Sequence, residues 1–233
     1  MPINPDEIII FQYGWFYINA TILFTWVIMA LLVCGSILAT RNLTAAGKLT
    51  RWQNLLEILV DGIRKQIREA SGQEPVRYLS FVGTLFIFIA VSNLLSIVPG
   101  YTPPTSSLST TTALALSVFF AVPIFAITRH GILSYLKQYL QPTPFMLPFN
   151  IIGEFSRTLA LAVRLYGNVM SGTVIVAILL TIIPLFFPVI LQIFGLLTGL
   201  IQAYIFSILA IIYITSASRA RQETEQKGDR AHG

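Results

Sequence analysis

Five long apolar segments alternate with more polar ones along this chain of 233 residues. Each apolar segment reaches or exceeds the roughly 20 residues that a helix needs to cross the hydrocarbon core of a bilayer. The pattern predicts an all-α, polytopic membrane protein in which 1–233 form a single integral membrane domain. The five predicted passes are residues 15–40, 78–98, 108–128, 149–184 and 188–218.

Two further segments have a different pattern. In 48–71 apolar side chains recur at spacings of three and four, and charged side chains occupy the opposite face. This period is typical of an amphipathic helix, which we expect on the cytoplasmic surface of the membrane. Residues 219–233 are predominantly polar, which predicts a disordered tail.

The last two passes are longer than one crossing requires. The segment 149–184 contains 36 residues, which is about 54 Å of helix at about 1.5 Å per residue, whereas the hydrocarbon core is about 30 Å thick. Helices of this length tilt, kink or extend beyond the interface. We therefore expect two long tilted helices that pack against another body in the membrane.

The positions of Lys and Arg predict the orientation. Residues 1–14 contain none, and the basic residues cluster in 41–77, 129–137 and 219–230. The positive-inside rule then places the N-terminus outside and the C-terminus in the cytoplasm. The same distribution accounts for the net charge of +5, so we expect contact with lipid and no nucleic-acid partner.

Common catalytic and metal centres lack their residues in this sequence. Its two histidines, His130 and His232, fall in a predicted loop and in the tail, and its one cysteine, Cys34, lies inside the first pass. Metal sites need clusters of such ligands. Neither the nucleophile-elbow motif nor the phosphate-binding loop occurs. The sequence therefore predicts no catalytic chemistry, no metal and no cofactor.

Arg164 is the only charged residue between Thr158 and Ser218. A guanidinium at bilayer depth costs from about 3 to well over 10 kcal/mol unless it faces protein or water. Arginine does not escape this cost by losing its proton. A functional role is therefore favoured over a structural arginine held by helix-end carbonyls or by Glu154.

Polar residues share the face of Arg164. Asn168 and Ser171 follow it at i+4 and i+7, which places all three on one side of a helix. On the last pass Gln202 shares a face with a Gly195-x-x-x-Gly199 pair, a spacing associated with close packing of membrane helices. We expect Gln202 to orient the guanidinium, although an ordinary interhelical amide bond would explain Gln202 taken alone.

The segments Arg164–Asn168 (RLYGN) and Leu200–Phe206 (LIQAYIF) resemble subunit a of F-type ATP synthases. Residues 113–117 (ALALS) and 147–150 (LPFN) are also similar, and the resemblance covers nearly the whole chain in order. It implies an ion-conducting stator subunit with two offset half-channels beside a ring of c subunits. It also implies partners in the b subunits and, indirectly, F1, in a membrane such as the bacterial inner membrane.

The resemblance assigns residues to this task. Arg164 matches the essential arginine of the family, Asn168 the nearby asparagine and Gln202 the glutamine of the last helix. Glu154 would lie at the mouth of the inner half-channel, unless it only forms a local ion pair with Arg157.

The outer half-channel departs from the family pattern. Many members have an acidic residue nine positions after the arginine, where this chain has Thr173. The region before the third pass has Ser107 and Ser109 and no carboxylate. We therefore expect hydroxyl groups to line the channel, with Ser171 as a further candidate. Because hydroxyl oxygens also ligate Na⁺, the sequence leaves H⁺ and Na⁺ as alternatives.

Two other classes of protein are alternatives to this interpretation. A secondary transporter would use Arg164 to bind an anionic substrate, and it predicts a broken helix or a second polar cluster at the midplane. A purely structural assembly subunit would not require a guanidinium at membrane depth.

Overall fold

The computed structural model describes residue 6 and residues 9–13, 16–41, 51–72, 76–98, 100–132, 145–182 and 187–231. Within these ranges the chain forms six α-helices and one short β-hairpin. The helices are α1 (Ala20–Thr40), α2 (Arg51–Ser71), α3 (Val76–Leu94), α4 (Leu108–His130), α5 (Met146–Ile182) and α6 (Phe187–Ala231). The hairpin strands are β1 (Ile9–Tyr13) and β2 (Phe16–Asn19), and 3-10 turns occupy Leu95–Ile97 and Pro104–Ser106.

Five of these helices are long and apolar enough to cross a membrane, which confirms the predicted all-α, polytopic fold. The candidate spans are Ala20–Leu38, Tyr78–Ile97, Leu108–Thr128, Leu147–Ile182 and Val189–Ser216. The predicted boundaries at residues 15, 48, 184 and 233 lie outside the described residues.

The structure differs from the sequence-based expectation at both ends of the chain. The antiparallel hairpin precedes α1, so the first helix begins at Ala20 rather than near residue 15. Its strands, IIFQY and FYIN, are rich in the β-branched and aromatic residues that favour extended backbone. At the other end α6 continues through the polar segment to Ala231, where a disordered tail was expected. Arg, Gln, Glu and Ala are good helix formers, which accounts for the extension.

Contacts between the described residues give the bundle two ends. The start of α1, the end of α3 and the starts of α4 and α6 lie at one end, which we call the hairpin end. α2, the start of α3, the end of α4 and the first half of α5 lie at the other, the α2 end. Consecutive membrane helices therefore alternate in direction, as short connections require.

The main core lies between α3, α4, α5 and α6. Its buried residues are apolar and mostly of medium or small size, which lets the four helices pack closely. The cluster comprises Leu85, Ile89, Ala115, Val118, Leu161, Ala162, Leu165, Ala203, Phe206 and Ala210.

The amphipathic helix α2 packs against this bundle through one end of its apolar face. Ile67 is buried with Tyr78 of α3 and Ile211 of α6 in a second core cluster. The Tyr204 hydroxyl of α6 donates a hydrogen bond of 2.6 Å to Gln66 Oε1. The predicted amphipathic character of this segment is thus confirmed, and part of its apolar face contacts protein.

Asn93 joins three elements near the hairpin end. Its side-chain amide donates to the Gly199 carbonyl of α6 at 2.9 Å, and its Oδ1 accepts from the Thr105 hydroxyl at 2.6 Å. A Cβ atom built on Gly199 would lie only 3.0 Å from Asn93 Cβ. Glycine at position 199 is therefore what allows α3 and α6 to approach this closely.

We predict that Gly199→Ala destabilises the protein. Asn93 is held by two hydrogen bonds and has little freedom to yield, so the added methyl group should cost about 1–3 kcal/mol through overpacking. The measurement is the thermal unfolding midpoint of the detergent-solubilised complex, which should fall.

Gly195→Ala is the matched control, because nothing lies within 4 Å of a Cβ built at that position. Its unfolding midpoint should stay unchanged or rise slightly, since alanine is the better helix former. Equal effects of the two substitutions would show that the contact with Asn93 does not limit the approach of the helices.

Candidate functional site

Arg164 is the central residue of α5, with 18 residues on either side between Met146 and Ile182. A helix of this length measures about 55 Å, so each end lies well beyond the half-thickness of about 15 Å of a hydrocarbon core. The guanidinium therefore projects from the part of α5 that is deepest in a bilayer. In the described part of the chain, Arg164 is exposed and has neither an ion pair nor a hydrogen-bonded partner.

The exposed stripe around Arg164 is made of small residues. Ala160, Gly167 and Ser171 lie on the same face and are all exposed. Nothing in the described structure lies within 4 Å of a Cβ built on Gly167. Further from Arg164 the exposed surface of α5 is apolar and includes Leu159, Val163, Ile175, Ile178 and Ile182. These small residues therefore leave room beside a deep charge and do not serve packing within the described chain.

The two long helices pack as neighbours with a definite register. The Asn168 amide of α5 donates a long hydrogen bond of 3.4 Å to the Thr198 carbonyl of α6. Because the helices run antiparallel, moving four residues back along α5 and four forward along α6 brings Arg164 level with Gln202.

Gln202 is level with Arg164 but is buried on the other side of the contact. Its side chain is only 6% exposed, and its Nε2 has no hydrogen-bond partner among the described residues. No hydrogen bond joins Gln202 to Arg164 within that part of the chain. The expected orienting contact is thus absent from this structure, although the two residues share one level. On the face predicted from their spacing, Gly199 and Gln202 are buried, whereas Gly195 is exposed.

A line of buried polar groups runs from Gln202 toward the hairpin end. One turn before Gln202, the Gly199 carbonyl accepts from Asn93, and Asn93 accepts from Thr105. Thr105, Ser106 and Ser107 are consecutive and almost completely buried, at 0%, 2% and 0% exposed. We call Gln202, Asn93 and Thr105–Ser107 the buried polar chain.

The buried polar chain ends at a carboxylate that the sequence analysis did not identify as part of the site. Asp6 accepts hydrogen bonds of 2.6 Å from Thr21 Oγ1 and from Ser107 Oγ. Ser109 Oγ lies 3.2 Å from Asp6 Oδ2 and 2.6 Å from Ser107 Oγ. Asp6, Thr21, Ser107 and Ser109 form what we call the carboxylate–hydroxyl cluster.

This cluster corrects the expectation that Ser107 and Ser109 lie in a region without carboxylates. The carboxylate comes from the N-terminal segment, 101 residues away from Ser107 along the chain. Local sequence carries little signal for such a contact; the only hint was an acidic residue in a segment that contains no Lys or Arg.

The other predicted lining residues have local partners. Ser171 donates to the Asn168 carbonyl at 3.1 Å, and Thr173 donates to the Val169 carbonyl at 3.0 Å. No described hydrogen bond connects Thr173 to the carboxylate–hydroxyl cluster. Ser107 and Ser109 are therefore brought together, whereas Ser171 and Thr173 remain on α5.

Glu154 and Arg157 lie toward the α2 end of α5. Glu154 is half-buried, and the Arg157 guanidinium lies 5.6 Å from the centroid of the Tyr213 ring of α6, within the range of a cation–π contact. Among the described residues no ion pair joins Glu154 to Arg157, so the proposed local pair is not observed.

Tyr101 closes the α3–α4 connection at the hairpin end. Its hydroxyl donates to the Ser92 carbonyl at 3.1 Å, and its ring packs edge-on against Phe24 of α1 with centroids 5.0 Å apart. Burial raises the pKa of Tyr101 above its usual value. The phenol is therefore neutral at physiological pH and adds no charge to the region.

Fold and site together define a class: a polytopic helical membrane protein with one guanidinium at the middle of a long exposed helix and a polar line leading toward it. The sequence profile of the ATP synthase A chain family matches residues 22–215. The chain belongs to this family, whose members are non-catalytic membrane subunits of ATP synthases.

Individual relatives are similar over nearly their whole length. ATP synthase subunit a 2 of Acaryochloris marina is 61% identical over 226 residues, which cover 97% of this chain and 97% of that protein. ATP synthase subunit a of Albidiferax ferrireducens is 56% identical over 230 residues, with 99% and 100% coverage. ATP synthase subunit a 1 of Chlorobaculum parvum is 56% identical over 224 residues, with 96% and 99% coverage.

The register of α5 and α6 is testable by cross-linking. In a Cys34→Ser background, we expect Asn168→Cys with Thr198→Cys to form a disulfide on oxidation in membranes, because a disulfide requires Cα atoms closer than about 7 Å. The product is detected as a mobility shift on a non-reducing gel.

Asn168→Cys with Ile190→Cys provides the comparison pair. Position 190 lies eight residues, or about 12 Å of helix, from position 198, so this pair should stay reduced. Cross-linking of the second pair in preference to the first would place the helices in a different register.

Proposed function

We propose that this chain is the ion-conducting stator subunit of a rotary ATP synthase. It provides two offset half-channels beside a c ring and moves H⁺ or Na⁺ coupled to ATP synthesis or hydrolysis. The b subunits of the peripheral stalk hold it in place, and F1 is an indirect partner.

The observation that carries this proposal is the exposed guanidinium of Arg164 at the centre of α5. A charge in this position is costly in lipid, so a partner in the membrane should cover it. The partner can approach closely, because the small residues Ala160, Gly167 and Ser171 lie on the same exposed face as the charge. A ring helix that carries a carboxylate meets both requirements.

Electrostatics then explains where the ring carboxylate releases its ion and where it binds another. A ring carboxylate must be neutral while it faces lipid, since an unpaired charge there is costly. When it meets the Arg164 guanidinium, the opposite charge favours its ionised form, and it releases its ion. Past Arg164 it rebinds an ion from the other half-channel and returns to lipid.

Arg164 also separates the two half-channels. A fixed positive charge repels a cation that would otherwise pass directly from one side to the other. Each elementary charge that crosses 100 mV yields about 2.3 kcal/mol, which drives rotation without chemistry in this chain.

The buried polar chain is the candidate wall of one half-channel. It leads from the hairpin end to Gln202, which is level with Arg164. Glu154, which is half-buried toward the α2 end, is a candidate for the mouth of the other. Each route thus reaches α5 from a different end, as two offset half-channels require.

The proposed orientation puts the hairpin end outside and the α2 end in the cytoplasm, in the bacterial inner membrane. It is supported by the Lys and Arg residues of α2, by Arg77 at the start of α3 and by Arg129 at the end of α4, which belong to the α2 end of the bundle.

α5 also argues against the transporter alternative. An anion-binding transporter of that kind typically binds its substrate where membrane helices are broken. α5 is continuous through Arg164, from Met146 to Ile182. The family assignment points the same way.

We predict that Arg164→Ala abolishes coupled transport. In vesicles that contain the complete complex, ATP synthesis driven by an ion gradient should fall to background, because nothing else discharges the ring carboxylate. F1 detached from these vesicles should hydrolyse ATP normally.

Arg64→Ala, which removes an exposed guanidinium from α2, serves as the control and should retain synthesis. Wild-type synthesis by a fully assembled Arg164→Ala complex would overturn the mechanism.

The identity of the ion has its own test. The oxygen groups of Asp6, Thr21, Ser107 and Ser109 are ligands that suit a hard cation, so we expect Na⁺ to be transported. ATP-driven uptake of ²²Na⁺ into inverted vesicles should then persist when a protonophore is present. Proton pumping that is indifferent to sodium, without ²²Na⁺ uptake, would establish H⁺ as the ion instead.

A further inference from the structure

The Asp6 carboxylate lies where the first turns of two membrane helices meet. Thr21 is the second residue of α1, Ser107 is the N-cap of α4, and Ser109 is the second residue of α4. Thr21 and Ser107 are buried, at 3% and 0% exposed, and Asp6 is half-buried. The half-buried carboxylate thus bridges α1 and α4 at the hairpin end, because Oδ1 accepts from Thr21, Oδ2 accepts from Ser107, and the exposed Ser109 lies within 3.3 Å of both oxygens.

The chemistry of the cluster suits a monovalent cation. It combines two carboxylate oxygens with three hydroxyl oxygens and contains one acidic group. Hydroxyl groups both donate and accept hydrogen bonds, so they can turn from the carboxylate to a bound ion. Oxygen-only ligand sets favour hard cations, and a single negative charge balances an ion of charge +1.

A second observation links the cluster to the interior. Four buried polar side-chain atoms in the described structure have no hydrogen-bond partner: Asn19 Oδ1, Ser92 Oγ, Thr102 Oγ1 and Gln202 Nε2. Asn19 lies two residues before Thr21 in the sequence. Ser92 directly precedes Asn93, and Thr102 lies three residues before Thr105. Gln202 ends the buried polar chain.

Such atoms are costly to bury unless water or an ion satisfies them. Water would satisfy these atoms, so their positions fit a hydrated path from the cluster toward the level of Arg164.

We propose that the carboxylate–hydroxyl cluster is the entry site for the transported monovalent cation, and that Asp6 supplies its charge. This inference rests on the proposed function as an ion-conducting subunit. Asp6 would then provide, from the N-terminal segment, the carboxylate that α4 and α5 lack at this end.

A structural role is the competing explanation, since Asp6 also ties the N-terminal segment to α1 and α4. The two roles respond differently to substitution. Asp6→Asn removes the charge but keeps an oxygen that accepts hydrogen bonds. Asp6→Ala with Ser109→Asp removes the tie at residue 6 but returns a carboxylate to the cluster, because Ser109 Oγ lies 3.2 Å from Asp6 Oδ2.

The experiment measures initial rates of ATP-driven ion uptake by the complete complex in inverted vesicles, with ²²Na⁺ and, separately, with a proton-sensitive dye. For whichever ion the wild type transports, Asp6→Asn should lower the rate about tenfold, the scale expected for losing one charge-assisted contact. Asp6→Ala should be at least as slow. Adding Ser109→Asp to Asp6→Ala should recover most of the rate.

Asp61→Asn makes the same chemical change at an exposed position of α2 and should leave the rate unchanged. Rates are normalised to the amount of assembled subunit in the membrane, so a variant that assembles poorly is not mistaken for a slow one.

The outcomes separate the two proposals. Wild-type uptake in Asp6→Asn would make Asp6 a structural tie and overturn the inference. A slow Asp6→Asn variant would also overturn it if adding Ser109→Asp to Asp6→Ala recovered none of the rate. A wild-type complex that transports neither ion under ATP would instead refute the proposed function.

Discussion

The cost of an unpaired guanidinium in the middle of a membrane governs the architecture around Arg164. Arg164 stands at the centre of a 37-residue helix, too far from either end for its side chain to reach the interface. Such a charge is sustainable only beside another polar surface. The exposed small residues on both sides of it, and the apolar surface of α5, fit the proposal that a partner helix covers this face. The membership of the chain in a family of multi-subunit membrane complexes agrees with this requirement.

A second constraint is that polar groups buried at membrane depth must satisfy one another. Asn93 meets it by bonding to the backbone of α6 and to Thr105 at once, and both bonds depend on the close approach that Gly199 permits. The same residues that lock α3, α4 and α6 together also form the polar line toward Gln202. Helix packing and this line of polar groups are therefore coupled, because loosening the contact between α3 and α6 would break the Asn93 bonds.

Charge is distributed unequally between the two ends of the bundle. The α2 end carries most of the Lys and Arg residues, whereas the described part of the hairpin end carries the Asp6 carboxylate and no basic residue. Within the described residues, the Asp6 carboxylate is bonded to hydroxyl groups at the hairpin end, whereas the Arg164 guanidinium lies at the middle of α5. Under the proposed function, this arrangement would attract a cation at the hairpin end and repel it at the level of Arg164.

Local sequence determined the features that arise from length, period and composition. The five passes, the amphipathic character of α2, the two overlong helices and the shared face of Arg164, Asn168 and Ser171 all follow from the spacing of apolar and polar residues. The motif around Arg164 is contiguous in the chain, so the sequence alone was enough to indicate the family. These properties do not depend on which neighbours the helices pack against.

Tertiary structure alone decided the contacts between residues far apart in the chain. Asp6 meets Ser107 across 101 residues, and Asn93 meets Gly199 across 106, with no periodic signal in the sequence for either. It also buried Gln202 away from Arg164 while exposing Gly195, although both residues belong to one helix, and it formed the hairpin before α1. The spacing of polar residues predicts which face of a helix is polar, but it does not predict which neighbouring helix that face contacts. The partners of polar groups therefore depend on how the helices are arranged in space, which no short stretch of sequence encodes.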